Sequence, residues 1–245
     1  MKKKILIIAA THGDEKIGLE VYGYLSARGL EKYFDLLIAN PPALAANKRF
    51  LDCDLNRSYP GNLRSPLSEK RLAAQNLALA QKYRYVIDLH EACSGTDDFI
   101  IVPRRRLAKN NFLGSIPLER VLLWPEPRGP LGDVLPRCIE LEFGLKGKNR
   151  AQVVARAARI TAATIKNLCQ KQTSRSWRQT VYSVYGELPL SRYSGSLESL
   201  RDFQPARVNG ENFYPLLVGQ YLNLKNQIVC YKMRKEKEPS DGQLG

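Results

Sequence analysis

Apolar runs alternate with helix-like stretches over the first two-thirds of the chain, the pattern of an α/β domain built on a largely parallel or mixed sheet. The predicted strands are Lys4 to Ala10, Phe34 to Asn40, Tyr85 to His90, Phe99 to Pro103, Val121 to Trp124 and Cys138 to Phe143. Between them, "EKIGLEVYGYLSARG" reads as a helix closed by Gly29. "SPLSEKRLAAQNLALAQKY" reads as a second, with Ser65 as N-cap and Pro66 in the first turn. An alanine-rich helix over about Asn149 to Gln172 ends the unit. After Ser174 the texture changes to short β-rich runs divided by Gly, Pro and Asn. The expected organisation is an α/β domain over 1–174, a small β domain over 175–235 and a disordered tail over 236–245.

Two of the predicted strands end in residues that a hydrophobic core would reject. "ILIIAATHGDEKIGLE" runs from aliphatic residues into His12, Gly13, Asp14 and Glu15, and "YRYVIDLHE" closes on His90. These are the chain's two histidines. Ligands of open α/β sheets bind beyond the carboxyl ends of the strands, so His12, Glu15 and His90 should project from one edge of one sheet. Two imidazoles and a carboxylate leave a fourth coordination position for water, as in catalytic rather than structural zinc sites. Gly13 is expected to let the chain turn sharply between two ligands. An H-x-x-E step alone is a weak signal, and His90 alone fits a histidine satisfied by Asp88. Together, at two strand ends, they point to a metal.

A later strand, "CIELEFG", carries Glu140 and Glu142, which alternation puts on one face. Either is placed to act as a general base beside an activated water. The segment "NKRFLDCDLNRSYPGN", residues 47–62, is charged but follows neither helical nor strand periodicity. Its Arg49, Asn56 and Arg57 suit the binding of a carboxylate or an oxyanion. Asp52 and Asp54 are expected to orient the arginines.

Composition narrows the class. With 245 residues, 44% hydrophobic and 25% charged, the chain can bury a full core. No segment approaches the roughly 20 apolar residues that span a bilayer. The basic start with its short apolar run reads as a first strand in a cytoplasmic protein rather than a secretory signal. Five scattered cysteines, Cys53, Cys93, Cys138, Cys169 and Cys230, without a C-x-x-C pair, read as reduced thiols. The net charge of +14 asks for an anionic partner. The basic clusters at Lys2 to Lys4, at Arg104 to Arg106 and in "KMRKEKE" do not interleave with aromatic residues as a single-strand binding face would.

In order and spacing, "THGDE", "NKRFLDCDLNRSYPG", "VIDLHEACSG" and "LEFG" resemble the aspartoacylase and succinylglutamate desuccinylase family, a branch of the zinc-carboxypeptidase-like fold. The resemblance covers roughly residues 4–145, and its most specific element is Arg49 to Arg57. It implies a mixed sheet flanked by helices with a small C-terminal β domain that narrows the active-site channel. It implies His12, Glu15 and His90 as ligands of one Zn²⁺ and Glu142 as the general base. By the same resemblance Arg49 polarises the scissile carbonyl, Asn56 and Arg57 clamp a substrate carboxylate, and Tyr231 contacts substrate.

The sequence departs from the family pattern at Asp14, where Asn is common, and at Glu91, where a small polar residue is usual. It departs again at Leu145 and Lys146, in place of Pro and Gln. Arg128 and Arg137 are the candidates for a further arginine that recognises an acidic side chain. These departures fall on the substrate rather than on the metal chemistry. The expected activity is zinc-dependent hydrolysis of an N-acylated, acidic amino acid. The enzymatic alternative is a carboxypeptidase-like peptidase. From another class, the rival is a nucleic-acid-binding protein on a degenerate hydrolase scaffold. No membrane partner is expected, and a homo-oligomer is left open.

Overall fold

The computed structural model describes residues 4–92, 96–103, 112–124, 129–145, 147–170, 179–222 and 227–236. The strands of its first two-thirds are β1 (Ile5–Ala9), β2 (Phe34–Ile38), β3 (Tyr85–Ala92), β4 (Phe99–Pro103), β5 (Arg120–Trp124) and β6 (Cys138–Gly144). The later strands are β7 (Thr180–Pro189), β8 (Ala206–Val208), β9 (Glu211–Leu216) and β10 (Ile228–Lys235). The helices are α1 (Ile17–Ser26), α2 (Pro41–Ala45), α3 (Ser68–Ala80), α4 (Leu131–Val134) and α5 (Arg150–Gln170).

All ten strands join one mixed sheet in the order β2-β1-β3-β6-β4-β5-β7-β10-β9-β8. The β2-β1-β3-β6 half is parallel, and β4 enters antiparallel to β6. Strand β1 is buried along its whole length, because helices cover both faces of this half. Its alternate residues serve two cores. Ile5 and Ile7 pack with Ile17, Val21 and Leu25 of α1 and Val153 and Ala157 of α5. Leu6 and Ile8 pack with Ala73 and Ala80 of α3. Each aliphatic side chain so buried contributes about 1.5–3 kcal/mol against the entropy of folding.

The predicted strands are recovered, with β3 running two residues beyond His90 to Ala92. Helix α3 starts at Ser68, three residues after the expected cap at Ser65. The reason is an exchange of hydrogen bonds with the preceding loop. Asp52 accepts from the Ser68 N–H at 2.7 Å, and Glu69 accepts from the backbone N–H groups of Leu51, Asp52 and Cys53 at 2.7, 3.1 and 3.3 Å. Asp52 thus caps a helix instead of orienting an arginine. The Ser65 hydroxyl accepts instead from the Leu67 N–H, ahead of the helix. The short helix α2 has no apolar periodicity to announce it. It is started by Asn40, whose side chain accepts from the Ala43 N–H, and by Pro41 and Pro42.

Strands β7 to β10 continue the central sheet, because β7 pairs in parallel with β5. They also form apolar clusters of their own, one around Phe213, Val229 and Leu188. Among the described residues no helix is long and apolar enough to cross a membrane. Cys53, Cys138, Cys169 and Cys230 are unbridged, while Cys93 lies outside the described residues. So do Lys2, Lys3, Arg104 to Arg106, Arg128, Lys146 and residues 237–245.

Candidate active site

Strand β1 ends at Ala9, and Ala10 takes a left-handed φ of 54° that deflects the chain out of the sheet. Thr11 then ties the new course to β3 by donating to both oxygens of Asp88, at 2.9 and 3.0 Å. The turn that follows is closed by the Glu15 N–H on the His12 carbonyl at 3.1 Å. Gly13 is required here for space rather than for a special dihedral. A Cβ at that position would stand 2.1 Å from the backbone carbon of Ala43 in α2.

The turn brings His12 and Glu15 against His90. His12 Nδ1 lies 2.6 Å from Glu15 Oε1, and His90 Nδ1 lies 3.0 Å from Glu15 Oε2. The three side chains are buried, and one ligand atom from each falls within 4.8 Å of the others. The far nitrogens also face carboxylates. Asp54 Oδ1 is 3.2 Å from His12 Nε2. Asp88 Oδ2 is 3.1 Å from His90 Nε2 but off the line of a hydrogen bond, so that nitrogen is buried without a bonded partner. Metal-binding histidines are commonly backed by carboxylates in this way. The donor set and its backing therefore fit a divalent cation such as zinc.

The electrostatics follow from burial and proximity. Burial pushes the Glu15 carboxyl up, but the neighbouring imidazoles outweigh it and hold it well below the usual carboxylate range. Burial opposes charging of His12 and His90, yet the carboxylates around them leave both above the ordinary histidine value. Burial, reinforced by Glu15 and Glu140 and opposed by His90, pushes the Glu142 carboxyl up to about 7.

Register separates the two glutamates of β6 that alternation leaves equivalent. Glu142 stands beside His90, and Glu140 beside Asp88. Glu140 is engaged by Asn56, whose Nδ2 donates to it at 3.2 Å. The Asn56 Oδ1 is buried without a partner. Asp54 positions this segment, accepting from the Asn56 N–H at 2.8 Å. Arg49 reaches Glu15 at 3.3 Å and Asp54 at 3.4 Å.

A cavity of about 750 Å³, counting its open mouth, lies over these groups. His12, Glu15, Arg49, Asn56, Arg57 and Glu142 line it. Tyr231 does not. Its ring packs at 5.1 Å from that of Trp124 and 5.7 Å from that of Tyr221, both of which belong to the lining. Sequence reading missed Tyr221, which sits outside the named strands in an isolated bridge to Ile228. Arg137 lies away from the cavity and donates to the Gln81 carbonyl at 2.6 Å.

Glu91 explains one departure from the family pattern. Its carboxylate accepts from the Lys16 and Ile17 N–H groups at the start of α1, at 2.7 and 2.6 Å, and pairs with Arg150 of α5 at 2.8 Å. Its own N–H donates to Glu15 at 3.1 Å. A charged residue after His90 therefore ties two helices to the His12–Glu15 turn.

A family model describing the succinylglutamate desuccinylase/aspartoacylase catalytic domain matches residues 1–168. The chain belongs to this family. A probable aspartoacylase of Prochlorococcus marinus is 34% identical over 119 residues, covering 42% of this chain and 38% of that protein. The matched stretch thus spans well under half of that relative. An N-acyl-aromatic-L-amino acid amidohydrolase of Rattus norvegicus is 24% identical, covering 94% of this chain and 84% of its own. Murine aminoacylase 3 shares the fold with a TM-score of 0.71 at 20% identity, covering 96% of this chain and 95% of its own. The succinylglutamate desuccinylase of Chromobacterium violaceum does so with a TM-score of 0.71 at 20% identity, covering 97% and 86%. The zinc-carboxypeptidase-like fold class expected from the motifs is the fold observed.

Proposed function

We propose that the chain is a zinc-dependent amidohydrolase that cleaves an N-acylated amino acid into a carboxylic acid and a free amine. The observation that carries this reading is the convergence of His12, His90 and Glu15, with Glu142 beside His90, where His12, Glu15 and Glu142 line one cavity. His12, Glu15 and His90 would hold the metal. When bound, Zn²⁺ supplies a water of lowered pKa and polarises a carbonyl.

The chain's own groups do the rest. Glu142 accepts the proton of the attacking water and passes it to the leaving nitrogen, a task suited to a carboxyl near neutrality. The Arg49 guanidinium faces the charge developing on the acyl oxygen. Arg57 takes the substrate carboxylate in a charge-assisted fork. Asn56 holds the same end, its unpartnered Oδ1 accepting an N–H donor. The C-terminal β-rich part shapes the channel through Leu217, Gln220 and Tyr221 in the lining. Tyr231 braces Trp124 and Tyr221 from behind rather than touching substrate.

The test is metal analysis joined to an assay of amine release. About one zinc per chain, lost in His90→Ala, together with hydrolysis of at least one member of an N-acetyl amino acid panel, is the expected result. A zinc-loaded, folded chain that hydrolyses none of them overturns the reading.

A further inference from the structure

The cavity wall changes character across the sheet. On β6 it presents Glu140 and Glu142, while one strand further, on β4, it presents Ile101 and Pro103. Register is direct, with Ile101 beside Glu140 and Trp124 of β5 beside Pro103. Leu217 adds to this wall from the C-terminal segment. The wall is firmly backed, since Ile101 and Trp124 pack against the cluster of Phe99, Leu122, Tyr182 and Tyr231.

The charges divide the same way. Among the described residues, the cations lining the cavity are Arg49 and Arg57. Arg49 is already shared between Glu15 and Asp54. Of these two, Arg57 is the one open to a substrate carboxylate. Of the remaining acids of the lining, Glu91 is paired with Arg150, while Asp133 and Glu140 add negative charge against a second one.

We propose that the ligand of this cavity carries one carboxylate and one apolar group, the carboxylate on Arg57 and the apolar group on Ile101, Pro103, Trp124 and Leu217. This reverses the acidic preference expected from the motifs and net charge. It rests on reading the cavity as an N-acyl amino acid site. Long-range charge gathers anions of any kind, whereas discrimination is made by the groups in contact. The apolar group is either the amino acid side chain or the acyl chain, and both would use the same wall.

Calorimetric binding to zinc-loaded Glu142→Gln separates ligand choice from turnover. The probes are N-acetyl-L-phenylalanine, N-octanoylglycine, N-acetyl-L-alanine and N-acetyl-L-aspartate. We expect one of the first two to bind at least about tenfold tighter than the aspartate derivative, and which one does so identifies the source of the apolar group. Adding Trp124→Leu, or separately Ile101→Ser, should reduce that advantage at least about fivefold while N-acetyl-L-alanine binding, the control for an intact site, is kept. Tighter binding of N-acetyl-L-aspartate overturns the proposal, as does an advantage unchanged in both wall variants. Failure of all four to bind also overturns it. Wild-type assays test the reaction separately. Apolar binding without hydrolysis upholds the pocket and removes the deacylase reading, whereas hydrolysis with an aspartate preference does the reverse.

Discussion

Glu142 and His90 stand side by side in parallel register on adjacent central strands. That neighbourhood, rather than the identity of either residue, gives Glu142 its environment and sets it apart from Glu140 two residues earlier. The expected outcome is a fall in kcat of about 10²–10⁴-fold for Glu142→Gln with zinc content unchanged. Glu140→Gln should act mainly through Asn56, raising KM more than it lowers kcat. Steady-state kinetics on the two variants, with elemental analysis, checks the assignment; equal kcat losses would contradict it.

Asp54 backs the far nitrogen of His12 and also holds Arg49 and the Asn56 N–H. Asp54→Asn keeps the shape but removes the charge. Zinc affinity is expected to drop about 10–100-fold, measured by competition with a chromophoric chelator. An unchanged affinity would show that this carboxylate does not tune the ligand.

Glu69 provides a pH signature of stability. Burial raises its pKa, but bonds from Leu51, Ser68 and Asp52 outweigh this and bring it from the ordinary 4.5 to about 2. A carboxyl lowered on folding stabilises the protein fully above its unfolded value and loses that contribution as pH falls through the folded one. Wild-type stability should therefore decline between pH 4.5 and about 2, and Glu69→Gln should flatten that part of the curve. At neutral pH the variant should be less stable by about 1–3 kcal/mol, because one of the two oxygens that accept from the Leu51, Asp52 and Cys53 N–H groups becomes an amide nitrogen and the charge on the other is lost. Denaturant unfolding of both proteins across this range is the check, and parallel pH profiles would refute it.

Gly13→Ala tests the packing that sets the ligand turn. Its Cβ would meet the Ala43 backbone, which cannot rotate away as a side chain can. A loss of about 1–3 kcal/mol in stability is expected, together with weaker zinc binding as the turn shifts His12 relative to His90. A variant with wild-type melting temperature and metal affinity would mean that α2 yields freely.

The sequence by itself determined the strand and helix framework of the first two-thirds. Runs such as Ile5 to Ala9 are buried on both faces and so are apolar throughout, and polar residues at their ends then stand out. His12, Glu15 and His90 were legible for that reason, and the ordered motifs revealed the family. Local patterns could not reveal partnerships made across long stretches of chain. Asp52 looks like a partner for arginine until the fold presents it to the N-terminus of α3. Tyr231 and Tyr221 are both C-terminal tyrosines, and only the packing of β10 puts one behind the other. The choice between Glu140 and Glu142 needed the register of β6 on β3. The apolar wall needed β4 to enter antiparallel beside β6, which brings Ile101 next to Glu140. Net charge is a property of the whole chain, but contact chemistry belongs to the few side chains that the sheet order gathers around one cavity.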